Sequence, residues 1–99
     1  MLPPEFEWDS RKSDDNVAER GFDFAFATLI FDGPTLERLD DRGDYGERRV
    51  VAIGLAQGVH LTVVYTDRIT ARIVVRRIIS ARGSNRRERK AYEAAIGRI

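Results

Sequence analysis

The 99-residue chain has no cysteine, a single histidine at His60, only two lysines and no apolar run approaching a membrane span. Without thiols there is neither a disulfide framework nor a thiolate zinc site, which suits a reducing compartment. A membrane-crossing helix needs about 20 mostly apolar residues. The N-terminus also lacks the basic, then apolar, pattern of a signal peptide. A cytoplasmic location is therefore expected. One histidine leaves carboxylates as the remaining metal ligands. Asp40, Asp41 and Asp44 fall close together, but the glycine-centred loop of a calcium hand is missing, so a solvated acidic loop is the simpler reading. No metal or cofactor is expected. P-loop, GxGxxG and GxSxG patterns are absent, and a Ser-His-Asp triad would have to use His60 as its base.

What the chain does have is charge, unevenly spread. The net charge is +1, yet residues 1–67 hold 7 cations and 14 acids while residues 68–99 hold 10 cations and 2 acids. One surface is thus suited to a polyanion and another to solvent or a basic partner. The cations are 15 arginines and 2 lysines. Arginine grips phosphate in a planar, bidentate way that lysine cannot reproduce. A GC-rich genome would account for most of the Arg-over-Lys bias, but not for its clustering. A hydrophobic fraction of 42% is ordinary for a globular protein, and a chain of this length forms one small domain, residues 1–99, with a modest core.

The clustering peaks between Arg76 and Tyr92, RRIISARGSNRRERKAY, with seven cations to one acid. The β-branched Ile78 and Ile79 suit a strand. Asn85 followed by Glu88 is a capping-box pattern that opens a helix over about Arg86–Ile96, with Glu88, Tyr92, Ala95, Ile96 and Ile99 on its inward stripe. Arg82 and Gly83 turn the corner. Upstream, Phe6-Glu7-Trp8 alternates like a short edge strand. Asp9 or Ser10 caps a helix that Gly21 stops near Arg20, with Val17 and Ala18 facing inward. Asp23 caps a second short helix, Phe24 to Leu29, whose phenylalanines, with Phe22 and Phe31, suit a core. A short strand follows within Leu36–Arg42. Three strand-like runs come next, Arg49–Leu55, Val59–Thr66 and Ile69–Ala81, and short links argue for an antiparallel meander. The expected class is α+β: two N-terminal helices, a three- to four-stranded antiparallel sheet and a C-terminal helix.

Four motifs in order carry a family resemblance. They are FEWD at Phe6–Asp9, GERR at Gly46–Arg49 leading into AIG, VVYTDR at Val63–Arg68, and RIISAR followed by ExxxY between Arg77 and Tyr92. Together they resemble the BrnT toxins, ribonuclease halves of bacterial type II toxin–antitoxin pairs. The resemblance implies a RelE-like fold, an RNA substrate and metal-independent cleavage that inhibits translation. It also implies a BrnA-like antitoxin as partner in a heterotetramer, with DNA contacted only through that antitoxin. Such chemistry needs little from the protein. RNA brings its own nucleophile, the 2′-hydroxyl, so the protein holds the backbone in line, stabilises phosphorane charge and moves two protons.

By resemblance, Arg49, Arg68, Arg77 and Arg82 hold the family's recurring arginine positions; Glu47, Arg49, Arg68 and Arg82 are the catalytic candidates, with Arg68 and Arg82 as phosphate ligands. Lys12, Arg77, Arg86 and Arg87 are candidates for RNA binding. His60, Tyr65 and Tyr92 are further candidates for proton transfer, a tyrosine base needing a lowered pKa. Strict alternation puts Arg77 and Arg82 on opposite strand faces, so that they converge only through a bulge or the corner at Gly83. The chain departs from the family at Glu19-Arg20-Gly21, where relatives often read KHG; arginine cannot shuttle a proton at neutral pH. The eight residues between Arg68 and Arg77 predict an extended hairpin. The alternative function is a catalytically decayed module that binds RNA or an antitoxin and acts in operon autoregulation.

Overall fold

The computed structural model describes residues 4–97. Its elements run β1 (Glu5–Trp8), α1 (Ser10–Arg20), α2 (Phe24–Ala27), a 3-10 turn (Thr28–Asp32), β2 (Leu36–Leu39), β3 (Val50–Ala56), β4 (Val59–Thr70), β5 (Ile73–Gly83) and α3 (Arg86–Ile96). The α+β class is as expected, but the sheet is larger and not wholly antiparallel. It has five strands in the order β1-β5-β4-β3-β2. The first strand lies outside the last and parallel to it, with Phe6 opposite Arg76 and Trp8 opposite Ile78. Chain order favours pairing between consecutive strands; the aromatic side chains of β1 instead extend the core past β5.

Side-chain caps set the helix boundaries. Asp9 accepts from the Lys12 backbone N–H at 3.1 Å, and Gly21 ends α1 at φ 84°, a left-handed conformation natural to glycine. Asp23 caps α2 through the Phe26 N–H at 2.8 Å. At α3, Asn85 and Glu88 form the full capping box. The buried side of α1 differs from the expected one. Val17 is 49% exposed, while Ser13 and Asn16 are buried. Ser13 Oγ accepts from the Phe24 N–H at 3.0 Å, and Asn16 donates to the Phe22 carbonyl at 2.9 Å. The helix docks through hydrogen bonds to the α1–α2 connection, so an apolar stripe was the wrong signal to follow. Of the α3 stripe, Tyr92 is buried and Ala95 exposed, and Ile99 lies outside the described residues.

One face of the sheet is covered. Phe24, Ala27 and Ile30 pack there on Ala52, Leu61, Val63, Tyr65, Ile78 and Ala81. Gly54 admits the close approach of the 3-10 turn, since a Cβ at this position would lie 2.8 Å from Ile30 Cβ. The β4–β5 hairpin is extended, as its length predicted. It reaches Thr70 and Ile73 and turns through Ala71 and Arg72, Ala71 taking φ 55°.

Candidate functional site

A β-bulge organises the opposite face. Val64 pairs with Ser80 but Tyr65 pairs with Ile78, leaving Ile79 as the extra residue. A bulge resets the alternation of side chains. Thr62 opposite Arg82 and Thr66 opposite Arg77 then share one face, so the two arginines that regular alternation separates are brought together. Arg38 of β2, opposite Val51, joins them, as does Arg68 of β4, two residues beyond Thr66. α3 lies over the far end of this face. There Tyr92 is buried, and its hydroxyl donates to the Pro34 carbonyl at 3.0 Å. The remainder is open.

Three arginines on this face, Arg68, Arg77 and Arg82, are paired with acids. Arg82 donates to both Glu88 oxygens at 2.6 and 2.9 Å, and Glu88 also accepts the Asn85 backbone N–H at 2.9 Å. The cap of α3 thus aims Arg82, and the bond from Arg82 draws the Glu88 carboxyl below its usual pKa. At the other end Glu7 accepts two bonds from Arg68 and lies 3.6 Å from Arg77. The Arg68 hydrogen bond holds Glu7 below the ordinary glutamate range. Arg49, immediately ahead of β3, donates to Glu47 at 3.0 Å and lies over the Tyr45 ring at 3.9 Å.

The sequence-derived candidates therefore share a region but not one point. Arg82 and Arg77 are four residues apart along β4 by their partners, about 13 Å, and Arg68 lies about 20 Å from the Arg82 level. Arg68 and Arg82 thus stand toward opposite ends of this face. Arg87 lines a cleft with Arg38, Val51, Ile53 and Arg82. Arg86, Arg87 and Lys90 flank an exposed surface on α3. Lys12 faces Arg82 across a second cleft of about 300 Å³ between α1 and β5.

The aromatic and histidine candidates for proton transfer are elsewhere. Tyr65 lies on the covered face, donating to Glu37 at 2.9 Å. Burial raises its pKa, so it stays protonated near neutrality. Tyr92 is committed to Pro34. His60 sits under α3, edge-on to the Tyr92 ring at 5.7 Å and 4.0 Å from Glu93. Asp40 also departs from the solvated-loop reading. Its side chain is fully buried and receives Arg42 through bonds of 2.7 Å to each oxygen. Among the described residues no group of three or more histidine and acidic side chains is arranged to hold a metal ion, and no helix is long and apolar enough to cross a membrane.

Sequence reasoning missed Glu7, Arg38 and Arg42 as parts of this region, and missed Glu88 as the partner of Arg82. Glu7 had a signal, a charge between two aromatics in an alternating strand. Arg38 had a weaker one in Leu36-Glu37-Arg38-Leu39. For Arg42, whose charge acts on Arg82, the sequence offers no signal beyond its acidic neighbours.

No curated protein matches the chain. Residues 8–88 match the family described as the ribonuclease toxin, BrnT, of type II toxin–antitoxin systems. That match runs from the end of β1 to the glutamate that holds Arg82, and so takes in most of the open face. Membership implies ribonuclease activity, an RNA target and a protein antitoxin as partner. The chain belongs to the BrnT family of ribonuclease toxins from type II toxin–antitoxin systems.

Proposed function

We propose that this protein is a metal-independent endoribonuclease that cleaves RNA on the open sheet face and so inhibits translation in the bacterial cytoplasm. The observation that carries this reading is the Ile79 bulge, which turns Arg77 and Arg82 to the face shared with Arg68. A row of guanidinium groups at strand spacing suits successive phosphates of a single strand better than a compact ligand. Arg49, Arg68 and Arg82 neutralise charge on the reacting and neighbouring phosphates, while Lys12, Arg77, Arg86 and Arg87 extend the backbone track.

In the reaction, the 2′-oxygen attacks phosphorus and the bond to the 5′-oxygen breaks. Glu47 takes the 2′ proton, and the leaving 5′-oxygen takes one from water. The products are a 2′,3′-cyclic phosphate and a 5′-hydroxyl. A BrnA-like antitoxin neutralises the toxin in a complex of two copies of each, and DNA is contacted only through that partner. Incubating the purified chain with RNA in excess EDTA tests the reading. Cyclic-phosphate ends are expected, and they should be lost in Glu47→Gln. Cleavage that vanishes with EDTA and returns with a divalent ion would overturn the metal-independent mechanism.

One observation favours the alternative, a catalytically decayed module that binds RNA or antitoxin in autoregulation. Arg20 stands where relatives often have histidine, and its guanidinium is tied to Asn16 and Glu19. Intact RNA after prolonged incubation, with RNA binding retained, would select this reading.

A further inference from the structure

The cleft between α1 and β5 adjoins the proposed RNA track, and its chemistry differs from the rest of that track. Phe24, Ile79 and Ala81 give it an apolar lining, while Lys12, Glu19, Arg20, Ser80 and Arg82 supply polar groups, around a volume of about 300 Å³. The guanidinium of Arg20 is oriented within it. It donates to Asn16 Oδ1 at 3.4 Å and to Glu19 at 3.3 Å, and Asn16 is itself locked to the Phe22 carbonyl at 2.9 Å. A planar cation fixed in this way, its side chain 44% exposed, is a plate on which a flat π-system stacks. Proteins that read single-stranded RNA place unstacked bases on aromatic rings or arginine planes and bond their edges with side chains.

The other groups suit such a guest. Ser80 Oγ and the Lys12 ammonium make no side-chain hydrogen bond or ion pair with a described residue. They can donate to base acceptors, while Glu19 can accept from an amino or imino N–H. A compact anion gains nothing from the apolar lining, whereas a nucleobase buries a face against it. Arg82 lines both this cleft and the one beside α3.

We infer that the α1–β5 cleft is a nucleobase subsite of the RNA-binding surface, with Arg20 as the stacking plate and the adjoining phosphate on Arg82. The inference rests on the reading of the open face as an RNA track. It gives Arg20 a task other than proton transfer, one that demands arginine's planarity as well as its charge.

The test uses single-stranded oligonucleotides with 2′-deoxy sugars, which cannot be cleaved through a 2′-hydroxyl, carrying an abasic site at each position in turn. For the wild-type chain, one abasic position should weaken binding about tenfold, the size of one lost stacked base. Arg20→Ala and Arg20→Lys should both abolish that position-specific penalty, although Arg20→Lys keeps the charge. Arg20 is exposed, so both variants should fold. A wild-type chain indifferent to every abasic position, or an Arg20→Lys variant retaining the full penalty, would overturn the subsite. Inorganic phosphate that competes as well as the oligonucleotide would also overturn it, marking the cleft as a simple anion site. Cleavage of all-RNA substrate by the wild type is scored separately, so loss of the nuclease reading cannot be mistaken for loss of the subsite.

Discussion

Arg76 and Arg77 are consecutive residues of β5 with opposite employment. Arg76 points into the covered face. It donates to both Asp67 oxygens at 2.8 and 2.9 Å, and its guanidinium lies 4.7 Å from the Phe31 ring centre and 4.1 Å from that of Tyr65. Its side chain is only 17% exposed. Arg77 faces the open side, 44% exposed, with Glu7 3.6 Å away. Strand alternation makes one arginine part of the architecture and leaves its neighbour exposed on the open face. A basic cluster in a sequence therefore overstates the basic surface, and the strand register decides which cations count.

The largest effect expected on the open side belongs to Arg82. Arg82→Ala should lower the RNA cleavage rate roughly 10²–10³-fold, the usual cost of one preorganised donor to a developing anion. The fold should survive, because the Asn85–Glu88 cap remains. Thermal unfolding beside single-turnover cleavage checks both halves. Next comes the covered side. Arg76→Ala removes two ring contacts and leaves Asp67 without its partner, which should cost about 2–3 kcal/mol and lower the melting temperature by roughly 10 °C or more. RNA affinity of the folded fraction should barely change. If Arg76→Ala weakens RNA binding as much as Arg77→Ala, the division of labour between the faces is wrong.

The same contrast explains what was legible beforehand. The caps at Asp9 (or Ser10), Asp23 and Asn85, the stop at Gly21 and the long β4–β5 hairpin are local. Each capping side chain bonds a backbone N–H three residues on, Gly21 takes the left-handed conformation in place, and the hairpin's length is written in consecutive residues. Docking of β1 outside β5 was not legible, since a parallel pairing between the first and last strands leaves no local trace. A bulge was one of two routes to convergence, beside the corner at Gly83, and nothing in RIISAR marks which route is taken or that Ile79 is the extra residue. The four candidates Glu47, Arg49, Arg68 and Arg82 were drawn from family motifs, and the strand register spaces Arg68 and Arg82 along one face. Ser13 and Asn16 escaped notice because a helix docked through polar side chains has no apolar stripe.

A smaller effect is expected for Arg77→Ala. The lost phosphate contact should weaken RNA binding about 5–10-fold at moderate salt and reduce the slope of log affinity against log salt by roughly 0.7, the single-strand value per neutralised phosphate. Stability should move by no more than about 0.5 kcal/mol, since the Glu7 contact is exposed and screened. An unchanged salt slope would remove Arg77 from the track and shorten it to the Arg82 end.

The smallest effect concerns acid, and it separates a buried charge near the open face from the exposed ones. Arg42 holds the Asp40 carboxyl down to about 2 through its side-chain hydrogen bonds. An unfolded aspartate titrates near 4. Between these values the unfolded chain binds more protons, so the stabilisation is complete above about pH 5 and is lost as pH falls toward 2. Because Arg42 itself is 65% exposed, solvent screening keeps the contribution small. Glu7 and Glu88, also held below their ordinary range by Arg68 and Arg82, act in the same direction. Asp40→Asn should flatten the pH dependence of urea unfolding between pH 5 and 3 more than Glu7→Gln does, because Asp40 is buried and Glu7 is not. Equal flattening in the two variants would mean that burial adds nothing to the Asp40–Arg42 pair, leaving Arg42 as a surface cation like Arg77.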